Sequence, residues 1–114
     1  MAAYIVAHVT ITNSEAYREY MRHTPRAIAA YGGKFIARGG EMVTLEGEPE
    51  KQRLVLMEFP DLDSAKAFYH SSEYVNIKKL RKGAGEARFV AIDGYPLERW
   101  MADAETSSKL TTPT

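Results

Sequence analysis

Three short segments of this chain are apolar or aromatic at every position, and they constrain the fold more than any other feature. They are Tyr4-Ile5-Val6-Ala7, Leu54-Val55-Leu56-Met57 and Phe89-Val90-Ala91-Ile92. Short apolar runs with β-branched and aromatic residues read as strands. Successive side chains of a strand point to opposite faces, so a sheet with one wet face alternates apolar and polar residues. These segments do not alternate, so both faces of the sheet need cover. Leaving one side chain of each pair in water would forfeit roughly 1.5–3 kcal/mol per residue.

The segments between them supply only part of that cover. Residues 4–11 form the first strand and end at Thr12-Asn13-Ser14, where Thr12 and Glu15 have capping-box spacing. Tyr17, Tyr20, Met21, Thr24, Ile28 and Tyr31 then recur at gaps of three and four, the spacing of one helix face. Pro25 lies inside that pattern and predicts a kink or restart near Thr24, because proline lacks an N–H and crowds the preceding turn. Gly32-Gly33 ends the helix. Residues 34–46 read as a second strand, bulged or bent at Gly39-Gly40, with a turn over residues 47–51 and a third strand over 53–59. Pro60-Asp61-Leu62-Asp63 opens a second helix with Ala65, Phe68 and Tyr69 inward. Ser71-Ser72 breaks it and caps a third helix over residues 73–82. A fourth strand spans 88–93, Leu97, Trp100 and Met101 suit a single anchoring turn, and 107–114 read as a frayed tail. The domain is expected over residues 1–95, with a partly disordered C-terminal extension over 96–114.

The order β-α-β-β-α-β is the ferredoxin-like arrangement, an α+β fold in which a four-stranded antiparallel sheet carries helices on one face. A chain of 114 residues has nothing left to cover the other face. A second copy packed sheet to sheet is the economical cover, so a homodimer is expected.

Composition narrows the partners. Fifteen basic residues balance fifteen acidic ones, so no overall field draws the chain to nucleic acid or an anionic membrane. The absence of cysteine removes disulfides and thiolate chemistry. No apolar run approaches the roughly 18–20 residues of a membrane span, and the first residues lack a basic n-region. A cytoplasmic location is the expectation. No metal or cofactor motif is present, so none of either is expected.

The run Tyr31-Gly32-Gly33-Lys34-Phe35-Ile36-Ala37-Arg38-Gly39-Gly40, then Leu45-Glu46-Gly47, Leu56-Met57-Glu58-Phe59-Pro60, Ser72-Glu73-Tyr74 and Leu80-Arg81 resembles the uncharacterised family called domain of unknown function 1330 (DUF1330). The resemblance covers about residues 4–94. It implies a dimeric α+β barrel, in a superfamily that includes cofactor-independent oxygenases, isomerases and haem-handling proteins. It implies no activity.

The candidate site residues each carry two readings. Arg38, before Gly39-Gly40, can clamp a carboxylate, or pair structurally with Glu46 or Glu58. Glu58, on an otherwise apolar strand, can act as a base or hold a cation, or partner Arg38 or Arg81. Tyr69, Ser72 and Tyr74 straddle the helix break, and with Arg81 can offer hydroxyls and one positive charge to a small acid, or serve as core residues with wet tips. His8, central in the first strand, can be a general base lining a pocket, or a satisfied core or interface histidine. The basic stretch from Lys78 to Arg88 reads as a solvated helix end. Three functions follow: a module binding a small organic acid or aromatic between sheet and helices, a cofactor-independent oxygenase or isomerase using the same pocket, and a structural dimer without ligand.

Overall fold

The computed structural model describes residues 1–110. Strand β1 (Ala3–Ile11) is followed by α1 (Ser14–Ala30), β2 (Lys34–Ala37) and β3 (Arg53–Phe59), then by α2 (Leu62–His70) and α3 (Ser72–Lys78), a 3₁₀ turn at Lys79–Arg81, β4 (Gly85–Asp93) and α4 (Leu97–Ser108). The four strands form one antiparallel sheet in the order β2-β3-β1-β4, the ferredoxin-like topology that the element order predicts.

Alternation along β1 divides the sheet. Ala3, Ile5, Ala7 and Val9 are buried, whereas Tyr4, Val6 and His8 between them are only partly covered. Register carries the division across the sheet. Val6 stands opposite Leu56 and Val90, Tyr4 opposite Glu58 and Ile92, and His8 opposite Leu54 and Arg88. Directly opposed residues share a face, so these form one open apolar face with a charged margin. Val90 is 42 % exposed and Ile92 58 %. The other face holds the core, where Phe59, Phe68 and Tyr74 are the largest fully buried side chains. Phe68 bridges the other two, with ring centroids 5.3 Å from Phe59 and 4.7 Å from Tyr74.

Several boundaries differ from the expectation. The α1 N-cap is Asn13, whose Oδ1 accepts from the Ala16 N–H at 3.1 Å; Thr12 is held instead by its own N–H on the Ala84 carbonyl. The helix runs unbroken through Pro25. Its orphaned acceptor, the carbonyl of Met21 four residues earlier, receives the Thr24 hydroxyl at 3.3 Å and Arg38 Nη2 at 3.0 Å, so the missing N–H is replaced. Helix α1 closes as expected, with Gly32 at φ +76 and the N–H groups of Gly32 and Gly33 on the carbonyls of Ala29 and Ile28.

Strand β2 stops at Ala37 instead of running to 46; its irregularity falls between Phe35 and Ala37, and Gly39 at φ +72 turns the chain away. The third helix ends at Lys78 before the 3₁₀ turn, and β4 starts at Gly85, three residues earlier than expected. A Cβ at Gly85 would stand 2.8 Å from the Thr10 carbonyl oxygen and 3.2 Å from the Tyr17 ring, so glycine lets the strand begin there. The expected single turn after Pro96 is a twelve-residue helix, and it anchors nothing: α4 has no buried residue, and Leu97, Trp100 and Met101 are exposed. The expected frayed tail is helical through Ser108, and residues 111–114 lie outside the described residues.

Candidate functional site

A cavity of about 30 Å³ lies between α1 and the covered face of the sheet. Since a single water needs roughly 10–15 Å³ of such space, the cavity holds a few heavy atoms. Its floor comes from β1 and β3 through Ala7, Val9, Val55 and Met57, and its roof from α1 through Tyr17, Tyr20 and Thr24. Helical spacing puts Tyr17, Tyr20 and Thr24 on one buried stripe, so three polar-tipped side chains face the apolar floor.

Two arginines line the cavity. Arg53 stands opposite Val9, which puts it on the helix-covered face. Arg38 follows the end of β2, its guanidinium 4.3 Å from the Phe35 ring centroid and tied to the Met21 carbonyl. Arg53 Nη2 lies 3.5 Å from where a Cβ on Gly39 would stand, so the two guanidinium-bearing segments adjoin. Burial and the neighbouring charge of Arg53 both lower the pKa of Arg38. Among the described residues neither arginine joins an ion pair, and Arg53 Nε is buried without a hydrogen-bond partner.

A third arginine stands behind the Tyr20 and Phe89 rings of the lining. Arg81 is only 8 % exposed, lies 5.5 Å from the Tyr20 ring centroid and 5.7 Å from that of Phe89, and its Nε also lacks a partner. Burial opposes its charge, but the phenols of Tyr74, Tyr20 and Tyr17 outweigh that effect and raise its pKa. Tyr20 Oη and Tyr74 Oη are hydrogen-bonded at 2.7 Å. Burial pushes both phenols, and that of Tyr17, above the ordinary tyrosine range. Ser71 sets this geometry: its hydroxyl donates to the Phe68 carbonyl at 2.7 Å and accepts the Tyr74 N–H at 3.1 Å, fixing the break between α2 and α3.

Of the residues singled out from the sequence, Arg38 and Tyr74 line this cavity, and Arg81 lies behind the Tyr20 and Phe89 rings that line it. Tyr69 lies in the same aromatic cluster, 5.4 Å from Tyr74, but its hydroxyl accepts from Lys78 Nζ at 2.8 Å and it lines a separate hollow of about 210 Å³ beside α2. Ser72 is exposed and lines neither space. His8 and Glu58 sit on the open face, across the sheet from Arg38, and Glu58 pairs with Lys34 at 3.7 Å. Within one chain they do not join the cavity. Arg53, Tyr17 and Tyr20 are the site residues that sequence reasoning passed over. The available signal was a buried helix stripe carrying hydroxyls where aliphatic residues would pack as well. Among the described residues no three His, Asp or Glu side chains gather as ligands for a cation, and no helix is long and apolar enough to cross a membrane.

Known structures share this fold at low identity. RPA0582 of Rhodopseudomonas palustris, a protein of unknown function, is 18% identical, with 83% of each chain covered and a TM-score of 0.65. SnoaB of Streptomyces nogalater, a cofactor-independent oxygenase, is 12% identical over 83% of this chain and 94% of its own, with a TM-score of 0.56. A conserved protein of unknown function from Bacteroides thetaiotaomicron, described as a possible oxidoreductase, is 7% identical over 82% and 97%, with a TM-score of 0.56. At such identities the likeness concerns the fold alone. No curated protein sequence matches the chain. Residues 2–95, which hold the whole sheet and every residue of the cavity, match one family model, and the chain belongs to that family, the domain of unknown function DUF1330.

Proposed function

We propose that this protein binds a small organic acid in the cavity between α1 and the sheet, as a homodimer joined through the open sheet face. The observation that carries the ligand is the pair Arg38 and Arg53: two guanidinium groups on one small cavity, neither in an ion pair among the described residues. Like charges brought together in partly buried surroundings repel, and an anion between them turns the repulsion into two attractions. The apolar floor suits a short hydrocarbon body. For the dimer, the support is the apolar face of Tyr4, Val6, Leu54, Leu56, Val90 and Ile92, which the chain's helices leave uncovered.

A cofactor-independent oxygenase is the second reading, favoured by the shared fold with SnoaB. Among the described residues, those lining this cavity include no carboxylate or imidazole, so a base would have to be a phenol or come from the partner copy. Binding is therefore the reading we place first.

The test is a titration of the purified protein with propionate, followed by amide chemical shifts. Shifts confined to the cavity lining and abolished by Arg53→Met support the reading. No saturable shift at millimolar acid, or shifts that survive the substitution, would overturn it and leave a dimer without this ligand.

A further inference from the structure

The cavity has surplus hydrogen-bond donors at two places, and few acceptors. At one place stand Arg38, with Nη2 on Met21 and its other nitrogens free of any bond among the described residues, and Arg53, with Nε buried and unpartnered. At the other stand Tyr20 and Tyr74. Their two hydroxyls share one hydrogen bond, which uses one proton; the second phenolic proton has no acceptor among the described residues. Behind them lies Arg81, more than nine-tenths buried, with an unpartnered Nε and no ion pair. Buried donors left without acceptors are costly, so each set calls for an acceptor. A simple carboxylate satisfies only the first set.

We infer that the preferred ligand is a short 2-oxo or 2-hydroxy acid, its carboxylate between Arg38 and Arg53 and its second oxygen accepting from the Tyr20–Tyr74 hydroxyl pair. The inference rests on the organic-acid reading of this site. The small volume sets the spacing: in a cavity of about 30 Å³, the two oxygen-bearing groups have to be neighbours on a short chain. Arg38, Arg53, Tyr20 and Tyr74 all line the same cavity, so the two donor sets border one space. A phenol suits the second oxygen better than another guanidinium. It donates to a neutral carbonyl or hydroxyl without demanding a second negative charge. Sites built to hydrogen-bond a substrate oxygen reject the analogue that lacks it, because the donors are then left unpaired.

Pyruvate and propionate differ by that one oxygen, and both are ionised at neutral pH. The full chain should bind pyruvate about tenfold more tightly than propionate, the size of one well-made hydrogen bond. Tyr20→Phe, nearly isosteric, should bring that ratio close to one. Tyr74→Phe should do the same, and stands in if the first variant loses its dispersed amide spectrum. Equal binding of the two acids by the natural protein would overturn the inference, with water satisfying the phenols, yet leave the organic-acid reading intact. A ratio that survives both substitutions would also overturn it. If neither acid binds, both readings fall.

Discussion

Arg38 donates from Nη2 to the Met21 carbonyl at 3.0 Å, and Met21 is the residue whose helical partner would have been the N–H that Pro25 lacks. Proline within a helix thus creates an acceptor on the cavity wall, and an arginine 17 residues away along the chain occupies it. The arrangement holds one guanidinium beside another before any ligand arrives. Preorganisation of this kind lowers the cost of binding.

Replacing Pro25 with alanine restores the helical N–H to the Met21 carbonyl. Urea unfolding should report a gain of about 1 kcal/mol or more, since interior proline is costly to a helix. Acid affinity should fall at the same time, because Arg38 then competes for its anchor. A variant that loses stability instead would mean that the pyrrolidine ring packs better than alanine does.

Arg38→Ala should weaken propionate binding by about tenfold or more, as expected for loss of a charge-assisted hydrogen bond. The mass of the assembly should not change, because Arg38 lies on the helix-covered side of the sheet. Calorimetry and sedimentation on the same sample separate the two effects. Unaltered affinity would remove Arg38 from the site.

Charge on the open face tests the assembly. Ile92 is 58 % exposed and stands opposite Tyr4 on the edge strand β4, so Ile92→Lys places an ammonium in the expected sheet-to-sheet contact at little cost to the monomer's own core. Sedimentation should show the natural chain as a dimer and this variant as a folded monomer. A natural chain that sediments as a monomer would end the sheet-to-sheet proposal.

Stability should fall on the alkaline side. Burial raises the folded-state pKa of Tyr17, Tyr20 and Tyr74, so the folded protein keeps these protons more tightly than the unfolded chain. Their contribution is complete below the unfolded tyrosine value of about 10 and is lost as pH rises from there toward the folded values. Tyr20→Phe removes one such group, and its denaturation midpoint should decline less steeply above pH of about 10. Identical alkaline slopes would mean that Tyr20 ionises equally in both states.

Phe68→Ala should cost about 3–5 kcal/mol, since the ring is buried between Phe59 and Tyr74 and little around it can collapse into the gap. A urea midpoint within experimental error of the natural chain's would show that the aromatic stack is not the centre of the core.

The doubly apolar strands made the sheet and its uncovered face legible, because short β-branched and aromatic runs mark strands and their lack of alternation marks a second face to cover, while the order of elements made the topology legible. Boundaries were less legible wherever a distant group decided them. Pro25 read as a break because its replacement donor, Arg38, becomes a neighbour only after folding. Asn13, not Thr12, caps α1, in a turn where the sequence-distant Ala84 carbonyl accepts from the backbone N–H of both. Strand β2 shortened at Gly39, whose positive φ the doublet Gly39-Gly40 hinted at without locating. The site was half legible. Arg38, Tyr74 and Arg81 stood out as polar residues in unexpected places, whereas Tyr17 and Tyr20 were hidden within a helix stripe whose spacing also fits plain core. His8 and Glu58 stood out for the same reason as the arginines, yet strand alternation puts them on the far face.

That alternation makes β1 a frame-sensitive element. Ala7 borders the cavity under α1 and His8, the next residue, belongs to the opposite surface. Inserting or deleting a single residue near the start of β1 would exchange the two sets: Tyr4, Val6 and His8 would be driven under α1, and Ile5, Ala7 and Val9 turned outward. Point substitutions can therefore retune one surface without touching the other, whereas a one-codon slip would disable both together.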